Sequence, residues 1–202
     1  MSAVEVRAAA AAEVPEVAAA FADAFVDDPV FRFLRPRGLR PRARLRTMFV
    51  AELKLYVLRN GGTVWTNPGH DGAVAVLPAG AWELPTSMTG SEALQWVWAF
   101  GTRLPRASKV QRAMEKRHPR EPHLYVRTIG VRTASQGRGL GSMLMQPTLE
   151  QADSAGLPTY IEASSERSAA LYERLGFRHV GAFELPDGGP PVWPMLRTPA
   201  AS

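Results

Sequence analysis

Gln136-Gly-Arg-Gly-Leu-Gly-Ser142 decides the reading of this chain, together with the run before it, Leu124-Tyr-Val-Arg-Thr-Ile-Gly-Val131. The earlier run is rich in β-branched and aromatic residues and predicts a strand. From Leu140 the pattern predicts a helix to Ala155, with Gly156 as its C-cap and Pro147 as an interior kink. Between them, Gly137, Gly139 and Gly141 form a turn whose backbone N–H groups can converge on one spot. The helix N-terminus adds a partial positive charge there. A strand, a glycine turn and a helix in that order predict a site for a phosphate or pyrophosphate, and so a phosphorylated cofactor.

Two common phosphate motifs do not fit. A dinucleotide fingerprint, G-x-G-x-x-G/A, needs Gly or Ala where this chain has Ser142, and it opens its domain rather than following mid-chain. A nucleotide P-loop needs Lys after its last glycine, and none follows. The pattern that does fit is [Gln/Arg]-x-x-Gly-x-[Gly/Ala], running from Gln136 through Gly139 to Gly141.

Outward from the loop, Val4–Arg7 reads as a short strand, 15–26 as a helix with Val17, Phe21 and Phe25 on one face, and 41–60 as a second helix. Leu45, Met48, Phe49, Leu53 and Tyr56 make the apolar stripe of that second helix. Residues 63–66 and 73–77 predict a hairpin. Residues 78–120 read as a mostly helical insertion carrying Trp82, Trp96 and Trp98, broken at Pro85 and Pro105. After the loop helix come a strand at 159–163, a helix at 166–175, and late strands at 177–183 and 192–197, the last two joined by a turn at Asp187-Gly-Gly189. This order predicts one mixed α/β domain over 1–202, with a central, mostly antiparallel, split sheet flanked by helices.

The loop pattern, the Ile129-Gly-Val131 strand before it and the Leu171-Tyr-Glu-Arg-Leu-Gly-Phe177 element after it resemble the GCN5-related N-acetyltransferase (GNAT) superfamily. The stretch from Glu115 to Arg197 resembles most its puromycin N-acetyltransferase branch, through Pro147, Ile161-Glu-Ala-Ser164 and Trp193-Pro-Met-Leu-Arg197. The resemblance implies acetyl-CoA as cofactor. Its pyrophosphate would lie on the backbone of Gln136, Gly137, Arg138, Gly139, Leu140, Gly141 and Ser142. Its pantetheine arm would lie along Thr128, Ile129, Gly130 and Val131, where a backbone N–H near Val131 would polarise the thioester carbonyl. Arg132 and Arg138 would add charge. Tyr172 would serve as general acid to the departing thiolate. Ser168 stands where many relatives carry Asn, a departure that weakens an expected cofactor contact.

The implied reaction moves an acetyl group from acetyl-CoA to a primary amine of an antibiotic- or metabolite-like small molecule, by direct attack in a ternary complex. The chain has no cysteine, which excludes a thioester acyl-enzyme, disulfides and thiolate metal sites. Glu162 is the candidate that orients the amine or takes its proton, with His118 and His123 as rival bases. Phe25, Phe31, Phe33, Trp82, Trp96 and Trp98 are candidate acceptor walls, with His123 and Glu162 beside them. Metal spacing among His, Asp and Glu is absent from the sequence. A protein or ribosomal-protein acetyltransferase and a non-catalytic acyl-CoA sensor stay open on the same motifs.

The net charge is +5, with arginines at 35, 37, 40, 42, 44 and 46. No aromatic residue interleaves with that run, so it reads as a solvated edge, and nucleic acid is not the expected partner. No apolar run is long enough for a membrane span, and the Ala8–Ala12 run lacks a basic start; a cytoplasmic protein is expected, without membrane partners. A homodimer is compatible with the sequence.

Overall fold

A computed structural model describes residues 4–36, 38, 40–83 and 89–200. Pro85, Arg37 and the rest of 84–88 lie outside the described residues. The element order is β1 (Arg7–Ala8), α1 (Val14–Ala24), α2 (Pro29–Leu34), α3 (Pro41–Ala51), β2 (Thr63–Thr66), β3 (Gly72–Leu77), α4 (Gly90–Phe100) and α5 (Leu104–Glu115). There follow β4 (Leu124–Val131), α6 (Leu140–Ala155), β5 (Thr159–Ala163), α7 (Glu166–Arg174), β6 (Arg178–His179), β7 (Phe183–Glu184) and β8 (Pro191–Arg197).

The eight strands form one sheet in the order β1-β2-β3-β4-β5-β8-β6, with β7 also on β8. Every pairing is antiparallel except β4 with β5. That parallel pair holds only at Leu124↔Thr159 and Tyr125↔Tyr160. Beyond Tyr125 the two strands part, so the sheet is split at its middle and backbone on each side of the split is left unpaired. A bulge on β4 shapes the same region: Ala75 faces Thr128 and Val76 faces Val126, leaving Arg127 as the extra residue. Bulges re-aim side chains. Here Tyr125, Arg127 and Thr128 all serve one face, which strict alternation would forbid.

Each face of the sheet has its own core. On one side α1, α3, α4 and α5 cover Ala73, Ala75, Leu77, Tyr125 and Tyr160. On the other, α6 and α7 cover Val74, Val76, Val126, Ile129 and Ile161. The stripe expected on the second helix is buried throughout, but α3 ends at Ala51 and continues as a π-helix over Glu52–Leu58. The wider turn carries Glu52, an acid on an otherwise apolar stripe, into the protein at 4 % exposure. Gly61 and Gly62 then end the helix. A β-carbon at Gly62 would lie 2.5 Å from the Val76 carbonyl oxygen and 2.7 Å from that of Val57. Gly62→Ala is therefore expected to cost about 1–3 kcal/mol by overpacking, read as a lower urea midpoint; an unchanged midpoint would show that the turn yields freely.

Some boundaries differ from the sequence expectation. The first strand is Arg7–Ala8 rather than Val4–Arg7, since it pairs only where β2 is available, Arg7↔Thr66 and Ala8↔Trp65. The strand expected at 177–183 is broken into β6 and β7. Pro194 of β8 explains the break: it accepts from the Val180 N–H but has no N–H to return, so the ladder lapses before Phe183 resumes it. α6 runs through Pro147 without interruption. Among the described residues no helix is long and apolar enough to cross a membrane.

Candidate active site

The glycine turn sits where β4 hands over to α6. Gly137 and Gly139 have φ of 77° and 78°, the left-handed region that glycine tolerates and other residues resist. A β-carbon on either would meet nothing within 4 Å. The space above the turn is thus open, and the conformation rather than crowding demands glycine. Gly141 is different: its β-carbon would lie 3.3 Å from Leu171, so it lets α6 approach α7. At the start of α6 the Ser142 and Met143 N–H groups already bond the Gly139 carbonyl, at 3.1 and 3.2 Å, which leaves those of Leu140 and Gly141 for a ligand. A cradle of this kind suits a pyrophosphate.

The turn is braced from behind by the β2–β3 connection. The Arg132 N–H donates to the Asp71 carbonyl at 2.7 Å, and Ser135 Oγ donates to Asp71 Oδ1 at 3.0 Å. The Asn67 amide beside Asp71 holds its carboxyl below the usual range, with Ser135, Arg138 and Arg132 adding to the effect. Two expected cofactor side chains are spent on this scaffold. Arg132 Nε donates to the His70 carbonyl at 3.0 Å, and Gln136 Nε2 donates to the Val131 carbonyl at 3.0 Å. Arg138 lies over the turn, donating to Ser135 Oγ at 3.2 Å. Ser168 is likewise engaged within its own helix. Ser165 and Ser168 cap α7 reciprocally, and Ser168 Oγ donates to the Ser165 carbonyl at 2.8 Å. Gly130 answers to packing, since a β-carbon there would lie 3.0 Å from both Phe21 and Phe25 of the α1 region.

Next to the split in the sheet lies a cavity of about 580 Å³. Phe25, Phe31, Met48, Leu55, Trp96, Phe100 and Ile129 give it an apolar wall, and Glu52, Arg127, Thr128, Glu162 and Tyr172 are polar residues of its lining. Tyr172 is 5 % exposed, more buried than its neighbour Leu171. Burial, helped by the charge of Asp28, pushes its hydroxyl well above the ordinary phenol range, so the group holds its proton. Asp28 caps α2 through the N–H groups of Val30 and Phe31 and accepts the Ser164 hydroxyl.

Glu162 reaches the cavity from β5 with a side chain only 5 % exposed. Oε2 accepts the Tyr125 hydroxyl at 2.8 Å, and that hydroxyl accepts from Arg127 Nη1 at 3.1 Å. Arg127 Nε lies 3.4 Å from Glu52 Oε1, which accepts from Thr128 Oγ1 at 2.8 Å. Glu162 Oε1 is buried and has no hydrogen-bond partner among the described residues. A free, buried carboxylate oxygen on a side chain that lines an apolar cavity is an unmet demand for a cationic or N–H donor.

The structure thus gathers Ile129, Glu162 and Tyr172 with Phe25, Phe31 and Trp96 around one space. It places other candidates elsewhere. Trp82 does not line this cavity; it borders a separate one with Arg112, Glu115 and Arg120 and stacks on His118 with ring centroids 4.2 Å apart, its carbonyl taking the Tyr56 hydroxyl. His123 does not reach the cavity either: it is 2 % exposed and bonds to His118. Phe33 lies under the Arg106 guanidinium, and Trp98 is 45 % exposed beneath Arg44. Glu52 and Arg127 escaped the sequence reading. Their signal was a charge inside an apolar pattern, Glu52 midway between Met48 and Tyr56, and Arg127 in the middle of a central strand.

The arginines after α2 mostly tie helices together. Arg42 pairs with Asp23 at 3.2 Å, Arg46 donates to the Pro15 carbonyl at 3.2 Å, and Arg35 to that of Val26 at 3.3 Å.

Comparison with known proteins agrees with this geometry. Residues 106–177 match the model of the Acetyltransferase (GNAT) family. An uncharacterised N-acetyltransferase of Schizosaccharomyces pombe is 28 % identical over 181 residues, 83 % of this chain and 71 % of that protein. A Corynebacterium glutamicum structure described as histone acetyltransferase HPA2 and related acetyltransferase superposes with TM-score 0.76 at 26 % identity, covering 100 % of this chain and 99 % of that one. The Drosophila melanogaster polyamine N-acetyltransferase, at 18 % identity and TM-score 0.61 over 96 % of this chain and 99 % of that one, shares the fold. The glycine cradle after β4, the split beside it and the buried Tyr172 all fall within the stretch that matches the GNAT acetyltransferase family, and the chain as a whole is similar to N-acetyltransferases.

Proposed function

We propose that this N-acetyltransferase uses acetyl-CoA to acetylate the primary amine of a small molecule with an apolar or aromatic body. The observation that carries the reading is the cavity itself: about 580 Å³, walled by aromatic and aliphatic side chains, its lining shared by Tyr172 and Glu162, whose Oε1 is unpartnered among the described residues. Its volume falls within the few hundred to ~1,000 Å³ usual for small-molecule sites. The segment 78–120 is then the acceptor-side elaboration of a single domain, supplying Trp96 and Phe100 to the wall.

Gly137 to Gly141 hold the pyrophosphate on backbone N–H groups, with Arg138 beside them. Acetyl-CoA supplies an acetyl carbonyl carried on a sulfur leaving group. Glu162 Oε1 orients the incoming amine and receives its proton. Tyr172 keeps its hydroxyl hydrogen ready for the departing sulfur. The apolar wall excludes water, which strengthens the charge–dipole contacts inside. A flexible, polar protein tail is less well served by a wall this apolar, to which α4 and α5 add Trp96, Phe100, Leu104 and Val110.

An amine panel tests the reading: 2-phenylethylamine, hexylamine, puromycin, spermidine and a short peptide with a free α-amine, each with acetyl-CoA. Turnover strongest among the apolar monoamines is expected. Turnover confined to the peptide, or to spermidine, would overturn the acceptor class.

A further inference from the structure

His118 lines no part of the cavity, yet it stands directly behind the carboxylate that does. Its Nδ1 lies 3.7 Å from Glu162 Oε1, and its Nε2 lies 3.0 Å from Nε2 of His123. His123 Nδ1 is 2.7 Å from the Glu121 carbonyl oxygen. A carbonyl only accepts, so His123 Nδ1 carries a hydrogen. Burial pushes His123 below the ordinary imidazole value, which keeps that ring neutral and leaves its Nε2 a lone pair. The hydrogen of the 3.0 Å contact therefore belongs to His118 Nε2. What remains on His118 is Nδ1, and it faces Glu162 Oε1, the buried oxygen without a hydrogen-bond partner among the described residues. With no proton between them, two lone pairs confront each other in a dry interior, an arrangement that costs free energy.

We propose that His118 is the proton partner of Glu162: the Nδ1–Oε1 contact is a trap that, when empty, draws one proton from the acceptor's ammonium. The proposal rests on the reading of the cavity as an amine site. In the step, the ammonium N–H bond breaks and nitrogen keeps the electron pair for attack. The proton binds Glu162 Oε1 and is shared with His118 Nδ1, giving an imidazolium–carboxylate pair. It leaves to water after the product does, while the second nitrogen proton offsets the one Tyr172 gives to sulfur. His118 is thus a positioning residue acting through Glu162.

The other groups around the pair are aromatic or act at one remove, except the buried Tyr160 hydroxyl, which also lies against Glu162 and has no other hydrogen-bond partner among the described residues. Tyr125 and Tyr160 meet its ring edge-on at 4.6 and 4.8 Å from β4 and β5. Trp82 covers its flat face, with the Arg120 guanidinium 5.3 Å from that indole on the side of α5's end. Arg127 is linked to Glu162 by the Tyr125 hydroxyl and pairs on its other side with Glu52, and the Glu115 carbonyl accepts the His118 backbone N–H at 3.3 Å.

Two measurements test the proposal. In 15N NMR of imidazole-labelled protein without ligands, His123 is expected as the Nδ1–H tautomer with His118 Nε2–H bonded to it; the Nε2–H tautomer on His123 overturns the network. In the pH dependence of kcat/KM with 2-phenylethylamine, His118→Gln and His118→Phe, the latter keeping the stack on Trp82, leave Glu162 a lone carboxylate. The low-pH limb should then move down by at least about one unit and the plateau fall about tenfold, as expected of a weaker base. An unmoved limb in both folded variants overturns the proposal. The NMR arm needs no acceptor, so it decides the His118–His123 network, and with it which His118 nitrogen is left for Glu162, even where the amine reading fails.

Discussion

Tyr172→Phe is expected to lower kcat well over tenfold while coenzyme A affinity and thermal stability stay nearly unchanged. A positioned proton donor is worth roughly 10²–10⁴ in rate, and the surroundings of the hydroxyl give it no competing structural role. Its raised value has two causes, burial and the Asp28 charge, with no hydrogen bond to another side chain among them. Removing the oxygen therefore leaves no buried partner unsatisfied, and the ring still packs on Phe177 at 6.0 Å. Free phenol and thiol differ by about 1.5 pKa units, so full transfer to a thiolate is already uphill by about 2 kcal/mol, and burial of Tyr172 raises that further. The gain must come from a hydrogen bond that strengthens as sulfur becomes negative, not from a completed transfer beforehand. A solvent-exposed acid would show the loss as a shifted alkaline limb; here the loss should be uniform across neutral pH. Steady-state kinetics with calorimetric coenzyme A titration separates the two effects. An unchanged kcat would remove Tyr172 from the chemistry, and a weakened coenzyme A affinity of the same size would make it a binding residue.

What the sequence made legible was everything local. Leu124–Val131 and Thr159–Ala163 are strands over the expected residues because each is a short β-rich run bounded by turn residues. The start of α6 at Leu140 and its cap at Gly156 follow from glycine placement in the same way. What stayed hidden depends on contacts far apart in the chain. The bulge at Arg127 is visible only in the register of β3 against β4, and it is what turns Arg127 and Thr128 toward Glu52. The π-helix is likewise a tertiary result: Glu52 is drawn in by Thr128, 76 positions away. Trp82 misled because large aromatics attract acceptor roles, whereas its ring is used as a lid on His118. His118 and His123 read as rivals because their spacing in sequence says nothing of the hydrogen bond between them.

Gly139→Val should weaken coenzyme A binding more than 100-fold while the protein still folds. α6 offers an internal control, because it begins and ends on glycines of the same kind. Gly139 at its N-cap has φ 78° and Gly156 at its C-cap has φ 63°, and a β-carbon at either meets nothing within 4 Å. Substitution by a β-branched residue brings a left-handed strain of roughly 1–2 kcal/mol at either end. If strain were the whole effect, the two variants would lose similar stability and bind alike. They differ in what the open space is for. At Gly139 the Leu140 and Gly141 N–H groups and the positive end of the helix dipole are available to a phosphate, and a valine side chain would stand in its way. Below Gly156 the dipole is negative, and the space is solvent. A 100-fold loss corresponds to about 2.7 kcal/mol, of the size expected from losing one or two charge-assisted N–H contacts at about 1.5–3 kcal/mol each. Gly156→Val should therefore share the lower melting temperature but keep its coenzyme A affinity within a few-fold. Equal binding losses in the two variants would mean that the turn acts by holding α6 in place; a loss confined to Gly139 would mean that its backbone touches the phosphates.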